Sequence, residues 1–375
     1  MTYLDNAATT LVKPQSVTDA VAEAIKTAAN AGRGGHGASM RAADILFECR
    51  ETAADFFGAK SAENIIFTLN ATHALNIAIH GIMGKGGHAV ISGYEHNSVV
   101  RPLAFLGDKG VSFSVARAPL FEPELMVEAI NREIKKNTKA VIVTHVSNVF
   151  GYVLPIKEVD ALCASKGIPL VIDAAQSAGC IPVKLNDLTA VRFVCMPGHK
   201  GLYGPQGTGI LVCRDGREIS PLMQGGTGSQ SHEAFQPDFL PDRHETGTQN
   251  AHGIAGLNAG IKFVCKVSEL YRHERELLDY CAEEIGKISG ATLYYDHKKQ
   301  CQSGVLSFNL ARVNADEVSY QLSLCDIAVR SGFHCAPLAH ETAGDRMGTV
   351  RVSFSVFNDF SDVETLVSAL KKINV

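Results

Sequence analysis

Short apolar segments alternate with longer amphipathic segments along the first part of the chain. The apolar segments have the length of buried strands and lie at residues 65–69, 89–92, 111–115, 140–145, 170–173, 191–195 and 210–213. Segments with the apolar spacing of helices lie between them, for example at residues 41–57, 72–83, 124–136 and 157–166. This alternation predicts an α/β fold whose large domain has a mostly parallel, seven-stranded sheet covered by helices.

The alternation stops at residues 222–250, which contain several glycines and no clear period. Compact domains rarely contain so long a segment without regular structure, so we expect a functional loop there. One long helix is predicted to follow, at about residues 251–285. Beyond it, elements at residues 291–295, 305–309, 316–324, 349–353 and 362–373 predict a smaller C-terminal α/β domain.

Composition and charge narrow the possible partners. The chain has 375 residues and a net charge of −4, which offers no strong field for nucleic acid or anionic lipid. Asp5 and Asn6 stand where a signal peptide needs an apolar run, and no segment approaches the roughly 18 apolar residues of a membrane span. Ten cysteines without a Cys-x-x-Cys pair are typical of reduced, packed side chains. We therefore expect a cytoplasmic protein that binds small molecules or proteins, with no metal, nucleic acid or membrane.

A lysine flanked by glycines follows the predicted strand at residues 191–195. This is Lys200, in the segment Gly198-His199-Lys200-Gly201, where the glycines allow the backbone to approach a ligand closely. An exposed loop lysine is an equally good interpretation of this segment alone. Asp173 favours a functional role for Lys200 over an exposed loop lysine. It ends the strand at 170–173, and the carboxyl ends of parallel strands face one crevice. A helix-capping aspartate is the ordinary alternative for this residue.

The pairing of Asp173 with Lys200 suits pyridoxal chemistry, in which a carboxylate keeps a pyridine nitrogen protonated and an amine supplies an imine. Ala71 and Thr72 open a helix after the strand at 65–69, and the free N–H groups of a helix N-terminus bind phosphate. A simple helix cap explains them equally well. His96 follows the strand at 89–92 and has a ring that can stack on a flat cofactor, although a lone histidine is more often structural.

Together these segments resemble the class V aminotransferase superfamily, and specifically its group II cysteine desulfurase and selenocysteine lyase branch, of fold type I. The segments with the same order and spacing are Tyr3-Leu4-Asp5-Asn6-Ala7-Ala8-Thr9, Ala71-Thr72, Glu95-His96-Asn97, His145-Val146-Ser147-Asn148, Asp173-Ala174-Ala175-Gln176 and Gly198-His199-Lys200. The resemblance implies a large cofactor-binding domain at residues 15–252. It also implies a small domain, formed by residues 1–14 and 253–375, that carries a catalytic cysteine.

The resemblance implies that pyridoxal 5'-phosphate is the cofactor and gives each polar residue a role. Lys200 is expected to carry the cofactor and to move the substrate α-proton. Asp173 is expected to pair with the pyridine nitrogen, and Gln176 with the ring hydroxyl. His96 is expected to stack on the ring and to take part in catalysis. Asn148 is expected to position the cofactor or the substrate.

The phosphate is expected to lie near Ala71, Thr72 and His199. Thr248, in the segment Glu245-Thr246-Gly247-Thr248, is expected to reach it from a second subunit, so the resemblance implies a homodimer with active sites at its interface. The chain departs from the family pattern at two positions. Ala71 stands in place of a frequent threonine, and Pro197 in place of a frequent serine, so two hydroxyl donors are lost; proline also lacks an N–H.

The segment Arg330-Ser331-Gly332-Phe333-His334-Cys335-Ala336 resembles the Arg-x-Gly-x-His-Cys-Ala motif of group II cysteine desulfurases. It implies that Cys335 attacks the substrate sulfur, which leaves a persulfide and alanine. A thiolate needs cationic surroundings, for which His334 and Arg330 are near in sequence. A further packing cysteine is the alternative, but a Gly-Phe-His-Cys loop is unlike the apolar strands that hold most of the others.

Substrate binding is expected to depend on Arg351, because the fork of its guanidinium meets both oxygens of a carboxylate. Asn148, His36 and Arg330 are the other expected substrate-binding residues. The resemblance thus implies a cysteine desulfurase that converts L-cysteine to L-alanine and passes sulfur to an acceptor protein.

Three other functions stay open. They are a selenocysteine lyase, a class V aminotransferase that does not use Cys335, and a non-catalytic cofactor-binding partner of sulfur-carrier proteins. The presence of Lys200, Asp173, His96, Cys335 and Arg351 together argues against the last, because an inert scaffold has little use for all five.

Overall fold

The computed structural model of the chain describes residues 1–32, 34–267, 269–298 and 300–373. After a short strand β1 (Thr2–Tyr3), all seven predicted strands of the large domain are present. They are β2 (Ile65–Thr68), β3 (Gly87–Ser92), β4 (Val111–Ala116), β5 (Thr138–Thr144), β6 (Leu170–Asp173), β7 (Val191–Pro197) and β8 (Gly209–Cys213). They form one sheet in the order β2-β8-β7-β6-β5-β3-β4, in which β8 runs antiparallel to both neighbours and the other pairs are parallel. The predicted fold class is confirmed.

Helices cover both faces of this sheet. They are α1 (Gln15–Thr27), α2 (Gly37–Phe57), α3 (Ala71–Met83), α4 (Asn97–Phe105), α5 (Pro123–Glu133), α6 (Ile156–Lys166) and α7 (Ala251–Lys266). Alternate strand residues pack on opposite faces, because successive side chains of a strand point to opposite sides. In β5, for example, Val141 and Val143 pack with α2, α5, α6 and α7, whereas Ala140 and Ile142 pack with α3 and α4. Burial on both faces explains why most of these strands are apolar, whereas the edge strand β4 is only partly buried and contains two serines.

The smaller unit contains a four-stranded antiparallel sheet in the order β12-β13-β10-β9. The remaining strands are β9 (Ala291–Tyr294), β10 (Val305–Leu310), β11 (Ile327–Ala328), β12 (Arg330–Gly332) and β13 (Thr349–Ser353). The remaining helices are α8 (Leu270–Gly286), α9 (Ala315–Leu324), α10 (Pro337–Thr342) and α11 (Phe360–Ile373). β1 pairs with β11 in a separate two-stranded sheet, which brings the N-terminus to the smaller unit. Leu4 accordingly packs in the same apolar cluster as Leu306 and Phe308.

The prediction of one long helix at residues 251–285 is wrong. α7 ends at Lys266, Val267 is extended, and Glu269 has a left-handed φ of 67° before α8 begins. The break has a packing reason, since α7 buries Leu257 in the core of the large sheet, whereas α8 buries Leu277 in the core of the smaller sheet. A single straight helix would not reach both cores. The predicted domain boundaries at residues 14 and 252 stay a prediction.

Residues 222–250, all of which are described, contain turns and bends without a helix or strand, as the sequence predicts. Across the described parts of the chain, no helix combines the length and the apolar composition that crossing a membrane requires.

A buried carboxyl group on α8 contacts the large unit. Glu274 is buried, and the Cys180 thiol donates a hydrogen bond to its Oε2 at 3.0 Å. Burial raises the pKa of Glu274 from 4.5 to about 8 and raises the pKa of the Cys180 thiol as well. Both groups therefore keep their protons at neutral pH, because ionising either one inside the protein is unfavourable.

This pair predicts a pH-dependent stability. The folded chain holds the Glu274 proton more tightly than the unfolded chain, so the stabilisation is complete below pH 4.5 and is lost as the pH rises to about 8. Glu274→Gln keeps an acceptor for Cys180 but cannot ionise. The variant should lose less unfolding free energy than wild type between pH 5 and pH 8, by at most about 1.4 kcal/mol per pH unit. Urea unfolding at several pH values measures this difference.

Glu276→Gln is the matched control, because Glu276 lies on the same helix and its side chain is exposed. It should follow the pH dependence of wild type. The same slope in Glu274→Gln and wild type would contradict the assignment of a protonated Glu274.

Candidate active site

Two residues that the sequence singled out lie side by side at the carboxyl edge of the large sheet. Asp173 is the last residue of β6, and Lys200 follows the neighbouring parallel strand β7. They line one cavity of about 110 Å³. Eight of the nine residues predicted to bind a cofactor line it: Ala71, Thr72, His96, Asn148, Asp173, Gln176, His199 and Lys200.

Thr248, the ninth residue, lies elsewhere in the single chain. It is exposed and lines a different cavity, of about 210 Å³, beside Leu69 and His73. Its loop is anchored by Glu245, whose carboxylate accepts hydrogen bonds from Arg50 Nη1 at 2.8 Å and Nη2 at 2.6 Å. This ion pair is buried, so it fixes the loop firmly to the large unit.

His36 also lies outside the Lys200 cavity. It is exposed and caps the N-terminus of α2, with its Nδ1 accepting a hydrogen bond from the Ser39 N–H at 3.3 Å. Its predicted contact with substrate stays a prediction.

The surroundings of Lys200 make its amine easier to deprotonate. Burial and, after it, the positive charge of Arg351 lower the pKa of Lys200 to about 8, although Asp173 acts in the opposite direction. Asp173 is itself buried, and its Oδ1 accepts a hydrogen bond from the Ala175 N–H at 2.9 Å. Burial raises the pKa of Asp173, whereas the Ala175 N–H and Lys200 lower it. An amine with this pKa exchanges its proton near neutral pH, as a nucleophile or a base requires.

His96 is a neutral imidazole at the start of α4. Its Nδ1 accepts a hydrogen bond from the Ser98 N–H at 3.0 Å, which places the ring proton on Nε2. Burial, followed by the positive charges of Lys200, Arg330 and Arg101, lowers its pKa to about 4. The ring thus presents an uncharged face to the cavity.

Residues at the start of α3 also line this cavity and suit an anion. α3 begins at Ala71, and the Asn70 side chain caps it by accepting from the His73 N–H at 2.9 Å. The first N–H groups of a helix have no partner within the helix and carry the positive end of its dipole. His199 is also present here, with its Nδ1 3.0 Å from Thr9 Oγ1 and its pKa lowered to about 4 by burial. These uncharged donors fit a phosphate group.

Cys335 lies in an exposed turn beside this cavity. It lines a neighbouring cavity of about 460 Å³, and both cavities share Thr72, His96 and Ser98 as walls. His334 and Cys335 have left-handed φ values of 49° and 57°. Two hydrogen bonds hold the turn, from the Asn97 N–H to the Cys335 carbonyl at 2.9 Å and from Asn148 Nδ2 to the His334 carbonyl at 2.8 Å.

The expectation that His334 supplies a positive charge to Cys335 is wrong. Burial is the main reason that the pKa of His334 falls to about 2, so its ring stays neutral. Its Nε2 lies 3.2 Å from the Thr349 carbonyl and serves to hold the turn. The remaining cation of the motif is Arg330, on β12, which pairs in register with Arg351 on β13.

Hydrogen bonds hold the Arg351 side chain in place but do not use all of its N–H groups. Its side chain is fully buried, its Nη2 donates to Asp5 Oδ1 at 2.6 Å, and its Nη1 donates to the Asn148 carbonyl at 2.8 Å. Its Nε has no partner within the described part of the chain. A buried guanidinium held in this way retains N–H groups for the carboxylate of a ligand.

Three residues of the site were not predicted as site residues. Asp5 orients Arg351, and Ser98 contacts both Thr72 and His96. Glu95 is fully buried, accepts from the Thr144 N–H at 2.8 Å, and has its pKa raised to about 8 by burial. Asp5 and Glu95 lie within sequence segments that resemble the family, so the sequence indicated them. Ser98 lies outside those segments, and nothing in the sequence indicated it. Among the residues that the structure describes, no cluster of three or more His, Cys, Asp or Glu side chains is placed to bind a metal.

The sequence matches the profile of the aminotransferase class-V family over residues 2–366. It is 34% identical to a probable cysteine desulfurase of Methanothermobacter thermautotrophicus, over 99% of this chain and 94% of that protein. It is 33% identical to a cysteine desulfurase of Yersinia pseudotuberculosis, over 100% of this chain and 93% of that protein. Both similarities therefore extend over the full chain.

Two solved structures have the same fold. The apo structure of a cysteine desulfurase from Thermococcus onnurineus gives a TM-score of 0.92 at 32% identity and covers 99% of this chain and 94% of that chain. The cysteine desulfurase CsdA from Escherichia coli, in an S-sulfonic acid form, gives 0.88 at 26% identity with the same coverage.

The pKa of Lys200 predicts its reactivity. With a pKa of about 8, its amine is about half neutral at pH 8, whereas an ordinary lysine amine is neutral to roughly 1% or less. Reductive methylation of the cofactor-free chain with formaldehyde at pH 8 should therefore label Lys200 faster than exposed lysines such as Lys157. Peptide mass spectrometry over pH 7–10 should show the Lys200 rate levelling off near pH 8 to 9. A rate that keeps rising in parallel with that of Lys157 would contradict the lowered pKa.

Proposed function

This chain belongs to the aminotransferase class-V family, and from that membership we propose that it is a pyridoxal 5'-phosphate-dependent cysteine desulfurase. The family resemblance found in its motifs is confirmed. The observation that carries the proposal is that two neighbouring cavities share one wall, formed by Thr72, His96 and Ser98. Lys200 and Asp173 line the first cavity, and the exposed Cys335 lines the second. This arrangement brings an amine, a carboxylate and a thiol to one place.

The residues of the smaller cavity fit pyridoxal 5'-phosphate. Lys200 offers the amine that would hold the cofactor, and Asp173 the carboxylate that would keep the pyridine nitrogen protonated. His96 offers a neutral ring, and Gln176 an amide that would hydrogen-bond to the ring hydroxyl. The N-terminus of α3 offers donors for the phosphate. When bound, the cofactor supplies an electron sink for the substrate.

The protein side chains perform the remaining steps. Arg351, oriented by Asp5 and the Asn148 carbonyl, would bind the substrate carboxylate through its free N–H groups. Lys200 would take the α-proton and return it, because a pKa of about 8 makes both transfers accessible at neutral pH. Arg330, the remaining cation of the cysteine motif, would stabilise a thiolate at Cys335.

Sulfur transfer follows from the exposure of Cys335. Its thiolate would attack the substrate sulfur, so that an S–S bond forms, the C–S bond breaks, and that electron pair stays with the carbon skeleton, which leaves as alanine after protonation. The persulfide would then pass its outer sulfur to the thiol of an acceptor protein. An exposed turn suits this second step, because an acceptor can reach it.

We further propose a homodimer in which Thr248 completes the phosphate site of the partner subunit. The exposure of Thr248 and the rigid anchoring of its loop by Arg50 and Glu245 support this proposal. Selenocysteine lyase and an aminotransferase that does not use Cys335 are the alternatives. The names of the relatives favour cysteine over selenocysteine as the substrate.

We expect the purified protein to be yellow and to bind pyridoxal 5'-phosphate through Lys200. Borohydride reduction should fix the cofactor to the peptide that contains Lys200, since its partly neutral amine reacts with an aldehyde. Mass spectrometry of the digested protein identifies the modified lysine. Attachment to another lysine, Lys13 included, would show that the cofactor site is assigned wrongly.

Cys335→Ala should separate cofactor binding from sulfur transfer. The variant should keep the visible spectrum of wild type, because Cys335 lies outside the Lys200 cavity, but lose cysteine desulfuration by about two orders of magnitude or more. Wild type incubated with cysteine should carry a persulfide on the Cys335 peptide. Cys325→Ala is the matched control, since Cys325 is also exposed. Full desulfuration activity in Cys335→Ala would show that Cys335 is not the sulfur acceptor.

A further inference from the structure

The cavity beside Cys335 follows one face of α4. The Asn97 N–H donates to the Cys335 carbonyl at 2.9 Å, so the cysteine turn lies at the start of this helix. Asn97, Arg101 and Phe105 all line the cavity, which has a volume of about 460 Å³. Residues four apart lie on the same face of a helix, and its rise puts Arg101 roughly 6 Å and Phe105 roughly 12 Å beyond Asn97 along the axis. The cavity therefore extends from the thiol along α4.

Arg101 gives this cavity a positive charge. Of the described residues that line it, none is acidic, and none besides Arg101 is a lysine or an arginine. His80 and His96 also line it, and both are neutral because burial lowers their pKa. Arg101 is exposed, and its guanidinium forms no hydrogen bond or ion pair with another residue that the structure describes. Its N–H groups are therefore available to an anion that enters the cavity.

The far end of the cavity is apolar. Phe105 is 69% exposed, and its ring lies 6.2 Å from the ring of His80. A small thiol that reacts with Cys335 does not extend to a side chain roughly 12 Å along the helix, whereas four extended residues span roughly 13 Å. The length of the cavity therefore suits a polypeptide segment.

We propose that this cavity binds the sulfur acceptor as an extended polypeptide segment, in which a carboxylate beside the reacting thiol pairs with Arg101. The thiolate of the segment attacks the outer sulfur of the Cys335 persulfide. An S–S bond forms in the acceptor, the S–S bond to Cys335 breaks, and its electron pair stays on the Cys335 thiolate. The inference rests on the proposed function, because it needs a persulfide at Cys335, and it adds the chemical class of the acceptor.

The alternative is that Arg101 acts on the Cys335 thiol itself. Its removal would then slow every reaction of that thiol equally, whatever charge the reagent carries. A preference among reagents that differ only in charge is therefore the property to measure.

Iodoacetate and iodoacetamide test the charge of the cavity without sulfur transfer. They have nearly the same size, and iodoacetate alone is an anion. Arg101→Gln should slow alkylation of Cys335 by iodoacetate about fivefold, the size expected for a partly exposed ion pair, and keep the iodoacetamide rate within about twofold. Mass spectrometry of the Cys335 peptide gives both rates. The exposed Cys325 in the same sample and Arg132→Gln, an exposed arginine on α5, are the controls and should keep wild-type ratios.

Peptide acceptors test the transfer itself. The protein is loaded with persulfide by cysteine, freed of excess cysteine, and mixed with capped tetrapeptides of sequence Cys-Asp-Gly-Leu, Cys-Asn-Gly-Leu or Cys-Lys-Gly-Leu. Wild type should lose its Cys335 persulfide about fivefold faster to the aspartate peptide than to the asparagine peptide. Arg101→Glu should reverse the order, so that the lysine peptide becomes the fastest. Phe105→Ala should slow transfer to the aspartate tetrapeptide but not to the capped dipeptide Cys-Asp, which is too short to reach position 105.

Equal slowing with both alkylating reagents, or with all three tetrapeptides, would show that Arg101 acts on the thiol and would overturn the inference. Rates that do not depend on the charge of the reagent in wild type would also overturn it. Failure of wild type to form a persulfide at Cys335 would overturn the proposed function instead, and the alkylation rates would still measure the charge preference of the cavity.

Discussion

The site depends on one ion pair, between the buried guanidinium of Arg351 on β13 and the partly exposed carboxylate of Asp5 near the N-terminus. The same guanidinium donates to the Asn148 carbonyl, in the loop that follows β5 of the large sheet. Three distant parts of the chain therefore meet at one cation. Asn148 then donates to the His334 carbonyl, so the connection continues to the turn that holds Cys335. Because burying a guanidinium is costly unless acceptors compensate for it, these contacts favour one placement of the two sheets relative to each other.

The large sheet was predictable from the sequence because its strands are buried on both faces. Apart from the edge strand β4, these strands are short, nearly continuous apolar runs, which are visible without any knowledge of the fold. Asp173 and Lys200 were predictable for a related reason, since parallel strands bring their carboxyl ends together. The strands β1, β11 and β12 have two or three residues each, too few to form a pattern. The break between α7 and α8 was missed because tertiary packing, not local propensity, ends α7 at Lys266.

The electrostatic details of the site were the least predictable part. His334 stands next to Cys335 in sequence, and nearness suggested a cation, but its ring is buried against Thr349 and stays neutral. Burial depends on residues that are far away in the chain, so the pKa of a side chain cannot be inferred from its neighbours in sequence. Ser98 illustrates the same limit, since its contact with Thr72 joins the starts of two different helices. Such contacts exist only once the sheet has formed.

The left-handed turn at His334 and Cys335 has a consequence for how position 335 can vary. A non-glycine residue with positive φ costs on the order of 1 kcal/mol or more, and here two such residues are adjacent. Glycine or asparagine would fit that backbone with less strain, and an exposed side chain contributes little packing. If folding stability alone governed this position, the cysteine would be a poor choice. Under the proposed function, the reactivity of the thiol accounts for this stability cost, and residue 335 would then indicate whether a related chain transfers sulfur.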